Sequence, residues 1–365
     1  MEKISVNLDG GRSYPIFIGA KLSEAGALAK HEMNGAGTEK ALIITNSKVG
    51  PLYSSQLKAS LEIAGFSVSI VQIPDGEQYK NLKTVEKLYA KCAEEKIERN
   101  SCIFALGGGV VGDIAGFVAA TYLRGTKLIQ VPTTLLAQVD SSIGGKTGVN
   151  LKEGKNLVGS FYQPNAVIIC PEVLKTLSKR ELSCGISEAI KYGCISDAKL
   201  FSCLESSVEK ITSPESASIG RILSASVSIK AQIVSRDERE KTGQRMLLNF
   251  GHTIGHAIET ATSYKKYKHG EAIAIGMVAA SIISEKTGLL QKSDSIRIKK
   301  LIASYSLPVS CRDISVSSLL NAMKLDKKVS NGKINFVLLE LIGKAKISDA
   351  VAEETVRTAL GEICA

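Results

Sequence analysis

The sequence contains no tryptophan and few aromatic residues of any kind, which together make up 5% of the 365 residues. Nucleic-acid-binding proteins typically combine a concentrated basic stripe with interleaved aromatic side chains. Here the formal net charge is +10, but the lysines are spread along the chain. We therefore expect no nucleic-acid partner.

Long apolar runs and paired cysteines are also missing. No stretch approaches the roughly 20 apolar residues that span a bilayer, and the start, MEKISVNLDG, has no basic region followed by an apolar run. The eight cysteines form no CxxC pair, a pattern that favours reduced thiols in a chain of this size without a secretion signal. These absences predict a cytoplasmic protein with no membrane partner.

The first half of the chain alternates apolar runs with helical patterns such as 85–94. Five runs read as buried strands of a parallel sheet that is covered on both faces: 41–45, 68–73, 102–106, 128–131 and 166–170. After about Leu174 helical patterns dominate, at roughly 178–193, 197–211, 215–236, 246–263, 270–287 and 293–304, with one possible strand at 334–339. The sequence thus predicts an open α/β domain followed by a mainly helical one.

A glycine-rich loop at 107–113 directly follows the predicted strand 102–106. It contains G-x-G-x-x-G at Gly107, Gly109 and Gly112, a spacing that lets backbone and helix amides approach a pyrophosphate. The same glycines also fit a tight turn with close helix packing. The loop does not follow the first strand, and no acid ends a strand about 20 residues later, so 75–77 is the better candidate for ribose contacts.

A second loop region, 131–156, combines several glycines with polar side chains. These are Thr133, Thr134, Asp140, Ser141, Lys146, Asn150, Lys155 and Asn156. Fixed cations between glycines predict an anion-binding lid or cradle at the carboxyl edge of the sheet. The alternative is a flexible, solvated surface.

Three of the four histidines, His252, His256 and His269, fall within 18 residues. His252 and His256 are spaced i, i+4 on a predicted helix and so share one face. A catalytic zinc ion takes about three protein ligands and keeps one position open. Either the three histidines or two of them with Glu188 could provide that set, and the spacing leaves both alternatives open.

Several longer motifs resemble those of the 3-dehydroquinate synthases, in order along nearly the whole chain. They are DGEQYK at 75–80, GGGVVGD at 107–113, ATYLRG at 120–125, VPTTLLAQVDSSIGGKTGVN at 131–150, GKNLVGSFYQP at 154–164, SEAIKYG at 187–193, LNFGHTIGHAIE at 248–259, HGEAIAIGM at 269–277 and LDKK at 325–328. The resemblance implies a Rossmann-like α/β domain at 1–175, an all-α or mainly helical domain at 176–365, and a site in the cleft between them.

The resemblance also implies a ligand set. Residues matching Glu188, His252 and His269 bind one divalent metal, zinc or alternatively cobalt, whereas the residue matching His256 faces the substrate. No departure from the family pattern occurs at these positions. The implied catalytic residues are His256, Lys146, Glu188, Lys191 and Asn156.

Two further sets follow from the same matching. NAD is expected to contact Asp75, Gly76, Glu77, Lys80, Gly109, Val110, Val111, Gly112, Asp113, Thr133, Thr134, Lys146 and Lys155. The substrate is expected to contact Arg124, Asp140, Lys146, Asn156, Lys191, Lys230, Arg245, Asn249, His256 and Lys327.

The implied substrate is a small phosphorylated sugar acid, 3-deoxy-D-arabino-heptulosonate 7-phosphate, and the implied assembly is a homodimer. Rival interpretations are another sugar phosphate cyclase, such as a 2-deoxy-scyllo-inosose synthase or an aminodehydroquinate synthase, an iron-type alcohol dehydrogenase, and a catalytically silent binding protein. An assay that finds phosphate release without accumulation of NADH would exclude the alcohol dehydrogenase and the silent binding protein. It would not exclude another sugar phosphate cyclase.

Overall fold

The computed structural model describes residues 1–33, 40–208, 217–325, 329–330 and 333–365. The chain divides into two compact units, Met1–Leu177 with Ser213–Arg239, and Ser178–Thr212 with Glu240–Ala365. The division predicted from the sequence, 1–175 and 176–365, assigns the helix at 217–236 to the second domain, whereas its packing assigns it to the first unit. An amphipathic pattern identifies the buried face of a helix but not the element that covers it.

The strands in chain order are β1 (Glu2–Val6), β2 (Tyr14–Ile18), β3 (Lys40–Asn46), β4 (Ser67–Ile73), β5 (Cys102–Gly107), β6 (Lys127–Pro132), β7 (Lys146–Leu151), β8 (Gly154–Phe161), β9 (Ala166–Ile169), β10 (Val329–Ser330), β11 (Lys333–Ile334), β12 (Phe336–Leu341) and β13 (Lys344–Ser348). The five predicted strands are confirmed as β3, β4, β5, β6 and β9. The edge strand β4 is not buried as predicted, because only Ile73 of its seven residues is buried. The hairpins β1–β2 and β7–β8 were not predicted from the sequence. Strands β1, β7 and β8 mix charged, polar or glycine residues with apolar ones, whereas β2 is a short apolar run that is buried throughout.

The helices in chain order are α1 (Ala25–Glu32), α2 (Gly50–Ile63), α3 (Leu82–Glu94), α4 (Gly109–Thr121), α5 (Lys179–Ser196), α6 (Ala198–Glu205), α7 (Ala217–Arg236), α8 (His252–Ala261), α9 (His269–Lys286), α10 (Lys292–Ser304), α11 (Val316–Leu325) and α12 (Glu353–Cys364). In the described part of the chain, no helix has the length and apolar character needed to cross a membrane.

The first unit is built on a sheet with the strand order β1-β2-β9-β6-β5-β3-β4. The pair β1–β2 is antiparallel, and the neighbours from β2 to β4 are parallel. Successive β3 residues face opposite sides, so Ile43 lies in one buried core while Leu42 and Ile44 lie in the other. The sheet is therefore covered on both faces, as its apolar strands predict.

The strand order reverses between β3 and β5. From β3 the chain moves outward to β4, then returns past β3 to β5 and continues to β6 on the other side. Open α/β sheets bind ligands outside the carboxyl ends of the strands at such a reversal. Here those ends are Asn46 and Gly107.

The second unit is helical, as predicted, with the small hairpins β10–β11 and β12–β13. The predicted helix 246–263 is interrupted: a 3₁₀ turn covers Gln244–Asn249, and α8 begins only at His252. The break is at Gly251, whose φ is +78° and whose added Cβ would lie 2.7 Å from the Met277 amide nitrogen. This left-handed glycine fixes the direction in which α8 starts.

Candidate active site

The glycine loop joins β5 to α4 at the reversal of the sheet. β5 ends at Gly107, Gly108 is the N-cap, and α4 begins at Gly109. The first amides of α4 and the positive end of its dipole therefore point outward at the predicted ligand position. A Cβ added to Gly109 would lie 2.9 Å from Ser141 Oγ, and one added to Gly108 would lie 3.0 Å from Thr134 Cγ2. Gly108 and Gly109 leave no room for a side chain, because Thr134 and Ser141 approach the backbone too closely.

Three buried hydroxyls accompany this loop. Thr45 Oγ1, Thr133 Oγ1 and Ser141 Oγ have no hydrogen-bond partner within the described ranges. Thr45 is in β3, Thr133 directly follows β6, and Ser141 opposes Gly109. A buried polar atom without a partner is costly unless a ligand or water satisfies it. Bare helix amides and unsatisfied hydroxyls are the chemistry that a dinucleotide requires, so these residues fit NAD.

The charged residues near the loop form a connected network. Lys80 is 4% exposed, and its Nζ lies 2.5 Å from Asp113 Oδ2 and donates to Asn156 Oδ1 at 2.6 Å. Burial raises the pKa of the Asp113 carboxyl, and the charge of Lys80 opposes that rise. Lys80 thus joins the start of α4 to the β7–β8 hairpin.

Two acids close to Lys80 in the sequence, Asp75 and Glu77, also have hydrogen-bond partners. Glu77 Oε1 accepts a hydrogen bond from Asn150 Nδ2 at 2.8 Å and lies 3.2 Å from Lys155 Nζ. Asp75 Oδ1 accepts from Asn46 Nδ2 at 2.7 Å. The acids predicted to face the ribose are therefore positioned by asparagines, which the sequence analysis did not assign to NAD binding.

Two predicted substrate residues of the first unit bind each other. Lys230 Nζ in α7 donates to the Asp140 carbonyl at 2.6 Å and lies 2.8 Å from its Oδ1. Lys230 is 5% exposed. Arg124 and Lys146 are exposed, and Arg124 ends a short 3₁₀ turn with a φ of +64°. Of the predicted set, Lys327 lies outside the described residues.

In the second unit, glycines bring three helices into close contact. A Cβ added to Gly276 of α9 would lie 2.0 Å from the Gly251 carbonyl oxygen, just before α8, and one added to Gly270 would lie 2.4 Å from the Cys184 carbonyl oxygen in α5. Larger side chains at these crossings would push the helices apart. The close packing brings Glu188 of α5, His252 of α8 and His269 of α9 together.

These three side chains form a compact set of donors. Glu188 is 0% exposed, and its Oε1 lies 3.6 Å from His252 Nε2 and 3.6 Å from His269 Nε2. One donor atom from each residue lies within 4.8 Å of the other two. Two imidazoles and a carboxylate around a common point match the chemistry of a catalytic zinc site. A second set that shares His269, namely His256, Glu259 and His269, meets the same distance criterion.

Both predicted histidine ligands have a partner at their other ring nitrogen. His252 Nδ1 lies 3.1 Å from the Phe250 carbonyl oxygen, and His269 Nδ1 lies 3.4 Å from Glu259 Oε2. Burial disfavours the cationic form of His269, but hydrogen bonds with Glu188 and Glu259 outweigh it and raise its pKa to about 10. The ring sits deep among carboxylates although 34% of the side chain reaches solvent. The surroundings therefore favour positive charge, as a cation site requires.

Further polar groups surround this set. Lys191, one turn after Glu188 in α5, is buried and forms an ion pair with it. The His256 ring centroid lies 5.5 Å from that of His252. Arg245 is buried, with its Nε 3.7 Å from Glu240 Oε1, and Asn249 ends the same 3₁₀ turn. Glu259 was not predicted as a site residue, although its spacing from His252 and His256 places all three on one helical face.

Comparison with protein-family models gives two adjoining matches. Residues 70–184 match the model described as 3-dehydroquinate synthase N-terminal, and residues 185–329 match the model described as 3-dehydroquinate synthase C-terminal. A curated relative from Geotalea uraniireducens (strain Rf4), named 3-dehydroquinate synthase, is 46% identical over 349 residues, which cover 95% of this chain and 96% of the relative.

Two solved structures are similar over 99% of both chains at 27% identity. One is a 2-epi-5-epi-valiolone synthase from Streptomyces hygroscopicus subsp. jinggangensis 5008 with NAD⁺ and Zn²⁺ bound, at a TM-score of 0.89. The other is a 2-deoxy-scyllo-inosose synthase complexed with carbaglucose-6-phosphate, NAD⁺ and Co²⁺, at a TM-score of 0.87.

Proposed function

The chain belongs to the 3-dehydroquinate synthase family, and we propose that it converts 3-deoxy-D-arabino-heptulosonate 7-phosphate into 3-dehydroquinate and phosphate. In this carbon–oxygen lyase reaction the substrate is oxidised transiently, loses phosphate by elimination, is reduced again and closes its ring by an intramolecular aldol step. When bound, a divalent metal supplies Lewis acidity and NAD accepts and returns a hydride. The observation that carries the proposal is the convergence of Glu188, His252 and His269 in a member of this family.

Glu188, His252 and His269 would hold the metal. Their nitrogen and oxygen donors suit zinc, and cobalt is compatible with the same set. Lys191 balances the charge of the buried Glu188, because a buried carboxylate is costly without a cation. A metal dication together with Lys191 carries more positive charge than Glu188 and Glu259 neutralise. The site therefore favours an anionic substrate.

His256 is proposed to hydrogen-bond the substrate or move a proton on it. It lies on the same face of α8 as His252, with the two ring centroids 5.5 Å apart, so its ring lies beside the residues that would hold the metal. An imidazole can both donate and accept a proton, which suits it to proton transfer. This role differs from that of His252, although the two residues are a single helical turn apart.

The remaining substrate contacts are proposed to recognise the carboxylate and the phosphate. Arg124, Lys146, Lys230 and Arg245 supply cations, and Asp140, Asn156 and Asn249 supply hydrogen-bonding groups. Arg245 and Lys230 are buried, each beside an acid, which fixes their charge in place. Fixed cations stabilise an anion without reorganisation during the reaction.

NAD is proposed to bind at the glycine loop. The first amides of α4, those of Gly109, Val110 and Val111, would face the pyrophosphate, since the Gly112 amide already donates to the Gly108 carbonyl at 3.0 Å. Thr133 and Thr134 would lie beside them, and Asp75, Gly76 and Glu77 would face the ribose. Lys80 and Lys155 already pair with Asp113 and Glu77, so their first role is to hold these acids. Lys146 is exposed at the start of β7 and is proposed to contact an anionic group of the cofactor or the substrate.

One assay tests the reaction. Purified protein with NAD, metal and the heptulosonate phosphate should release one phosphate for each carbocycle formed, without accumulation of NADH. Net NADH production would instead indicate an alcohol dehydrogenase, and absence of turnover in protein that binds both cofactors would indicate a silent binding protein.

A second candidate is a related sugar phosphate cyclase, favoured by the close fold similarity to the valiolone and inosose synthases. All of these reactions release phosphate, so the assay must identify the product. Mass spectrometry of the reaction with the heptulosonate substrate, glucose 6-phosphate and sedoheptulose 7-phosphate distinguishes them. We expect turnover only with the first.

We also propose that the protein works in the cytoplasm as a homodimer. All eight cysteines are free, which suits a reducing compartment. The dimer rests on the family resemblance, and light scattering on the purified protein tests it directly.

A further inference from the structure

Glu259 is a buried acid that is neither a proposed metal ligand nor a proposed substrate contact. It is in α8, seven residues after His252 and three after His256, and it is 5% exposed. Residues at this spacing share one face of a helix. Glu259 is thus directed to the same side as the proposed metal ligands, yet it is not one of them.

The carboxylate of Glu259 contacts the ring of His269. Its Oε2 lies 3.4 Å from Nδ1, while Nε2 of the same ring lies 3.6 Å from Glu188 Oε1. The two nitrogens of His269 therefore face two different carboxylates. A neutral imidazole has one N–H and one lone pair, so an acceptor beside Nδ1 keeps the proton there and leaves the lone pair on Nε2.

His252 has the same arrangement with a different acceptor. Its Nδ1 lies 3.1 Å from the Phe250 carbonyl oxygen, and its Nε2 lies 3.6 Å from Glu188 Oε1. Two histidines on different helices thus have equivalent geometry at both nitrogens. A backbone carbonyl lies at Nδ1 of His252 and a carboxylate lies at Nδ1 of His269. The shared pattern indicates that each acceptor orients its ring so that Nε2 can bind the metal.

We propose that Glu259 is a positioning residue of the metal centre. It accepts the Nδ1–H of His269, which fixes the tautomer and the ring orientation in which Nε2 is a metal ligand. The inference rests on the proposed ligand set of Glu188, His252 and His269. Removal of such an outer partner from a ligand histidine typically weakens metal binding by about 10–100-fold.

A rival account makes Glu259 a ligand itself. One donor atom each from His256, Glu259 and His269 lie within 4.8 Å of one another, so a metal could bind there instead. The two accounts predict opposite patterns of loss. A positioning role requires Glu188 and His252 for binding and not His256, whereas a ligand role requires His256 and neither Glu188 nor His252.

The first experiment is a competition titration of Zn²⁺ between a chromophoric chelator and five variants. For Glu259→Leu we expect zinc affinity to fall by about 10–100-fold. Glu259→Gln should lose less than about tenfold, because its amide oxygen can still accept the Nδ1 proton. Ile258→Val is the matched control: its neighbouring buried position loses one methyl group and no acceptor, so stability falls slightly and zinc affinity does not.

The other two variants separate the possible failures. Loss of zinc in His256→Ala and retention in His252→Ala would support the rival ligand role. Wild-type affinity in folded Glu259→Leu, with binding lost in His252→Ala, would overturn the positioning role and leave the proposed ligand set intact. Wild-type affinity in both Glu259→Leu and His252→Ala would instead overturn the ligand set itself.

The second experiment reads the tautomer directly. The chain has only four histidines, so ¹⁵N-labelled imidazoles of the zinc-loaded protein can be assigned by single substitutions. We expect His269 to carry its proton on Nδ1 with a slowly exchanging signal, which Glu259→Leu should lose and Ile258→Val should keep. An unchanged Nδ1–H signal in Glu259→Leu would overturn the proposal.

Discussion

The two candidate binding regions of this protein are built from opposite materials. The nucleotide region in the first unit consists of bare glycine backbone, the start of α4 and uncharged hydroxyls, and its nearby charges pair with one another. The metal region in the second unit consists of ionisable side chains on three helices, of which Glu188 is fully buried and the two histidines are partly buried. In the nucleotide region the exposed backbone would contact the ligand, because glycines lack side chains. In the metal region the side chains themselves would bind the ion.

This difference implies different sensitivities to mutation. Adding atoms should damage the nucleotide region, because the close approach of backbone depends on missing side chains. Removing donors should damage the metal region, because each donor is needed and the remaining buried charges lose their partner. The following experiments test that contrast.

The largest effect is expected for His252→Ala. Structural zinc sites bind with roughly 10–16 kcal/mol of apparent free energy, so loss of one of three protein ligands should weaken binding by about a thousandfold or more. Metal analysis after dialysis should find sub-stoichiometric zinc in His252→Ala and nearly full occupancy in His256→Ala. The reverse result would show that the second donor set holds the metal.

Lys80→Met should cost at most about 3 kcal/mol of unfolding free energy at neutral pH, because it leaves the Asp113 carboxylate, whose side chain is 24% exposed, without its cation. Burial raises the pKa of Asp113, so protonation favours the folded state, and that contribution is lost as the pH rises through the folded pKa. Without Lys80 this pKa should rise further. Urea denaturation should therefore show a smaller penalty at about pH 5 than at about pH 7.5; an equal penalty at both would exclude Asp113 as the cause.

Gly109→Val should weaken NAD binding by about 10–100-fold, since overpacking costs roughly 1–3 kcal/mol. The first added carbon already meets Ser141 Oγ at 2.9 Å, so a larger side chain would fill the space of the pyrophosphate. Gly220→Val is the control, because a Cβ there meets nothing within 4 Å. Calorimetric titration that finds normal NAD affinity in folded Gly109→Val would remove the glycine loop from the NAD site.

Lys155→Met should have the smallest effect, at most about 1 kcal/mol of unfolding free energy. Its partner Glu77 is 40% exposed at the side chain and also accepts from Asn150, so water and the amide can replace the lost ion pair. Denaturation at low and high salt checks this result. A loss of unfolding free energy as large as that of Lys80→Met would show that the different burial of the two ion pairs does not determine their contributions to stability.

Much of the fold was predictable from local sequence. The continuous apolar runs at β3, β5 and β6 indicate buried parallel strands, and the glycines after β5 mark the ligand end of the sheet. The hairpin β7–β8 was not predicted because glycine and polar residues interrupt its apolar residues. The hairpin β1–β2 was not predicted although β2 is apolar and fully buried. α7 was predicted as a helix, but its packing within the first unit was not predicted, since its partners are distant in sequence.

The candidate site was less predictable. Three clustered histidines indicate a metal, but spacing alone left open which donors complete the set, because Glu188 is far from them in sequence and reaches them only where α5 crosses α9. Glu259 was overlooked since its contact with His269 depends on the turn between α8 and α9. Contacts set by helix crossings have no local sequence signal.

The return of α7 to the first unit also bears on biosynthesis. A ribosome adds about 5–20 residues per second, and it must complete part of the second unit, Ser178–Thr212, before it produces the helix that pairs Lys230 with Asp140. Several seconds therefore pass between synthesis of Leu177 and synthesis of α7, and during this time the surface that α7 covers in the first unit is exposed. A nascent chain at that stage presents apolar surface that chaperones recognise. A gene fragment ending at Leu177 would make that transient stage permanent, whereas one ending at Arg239 would include the missing helix.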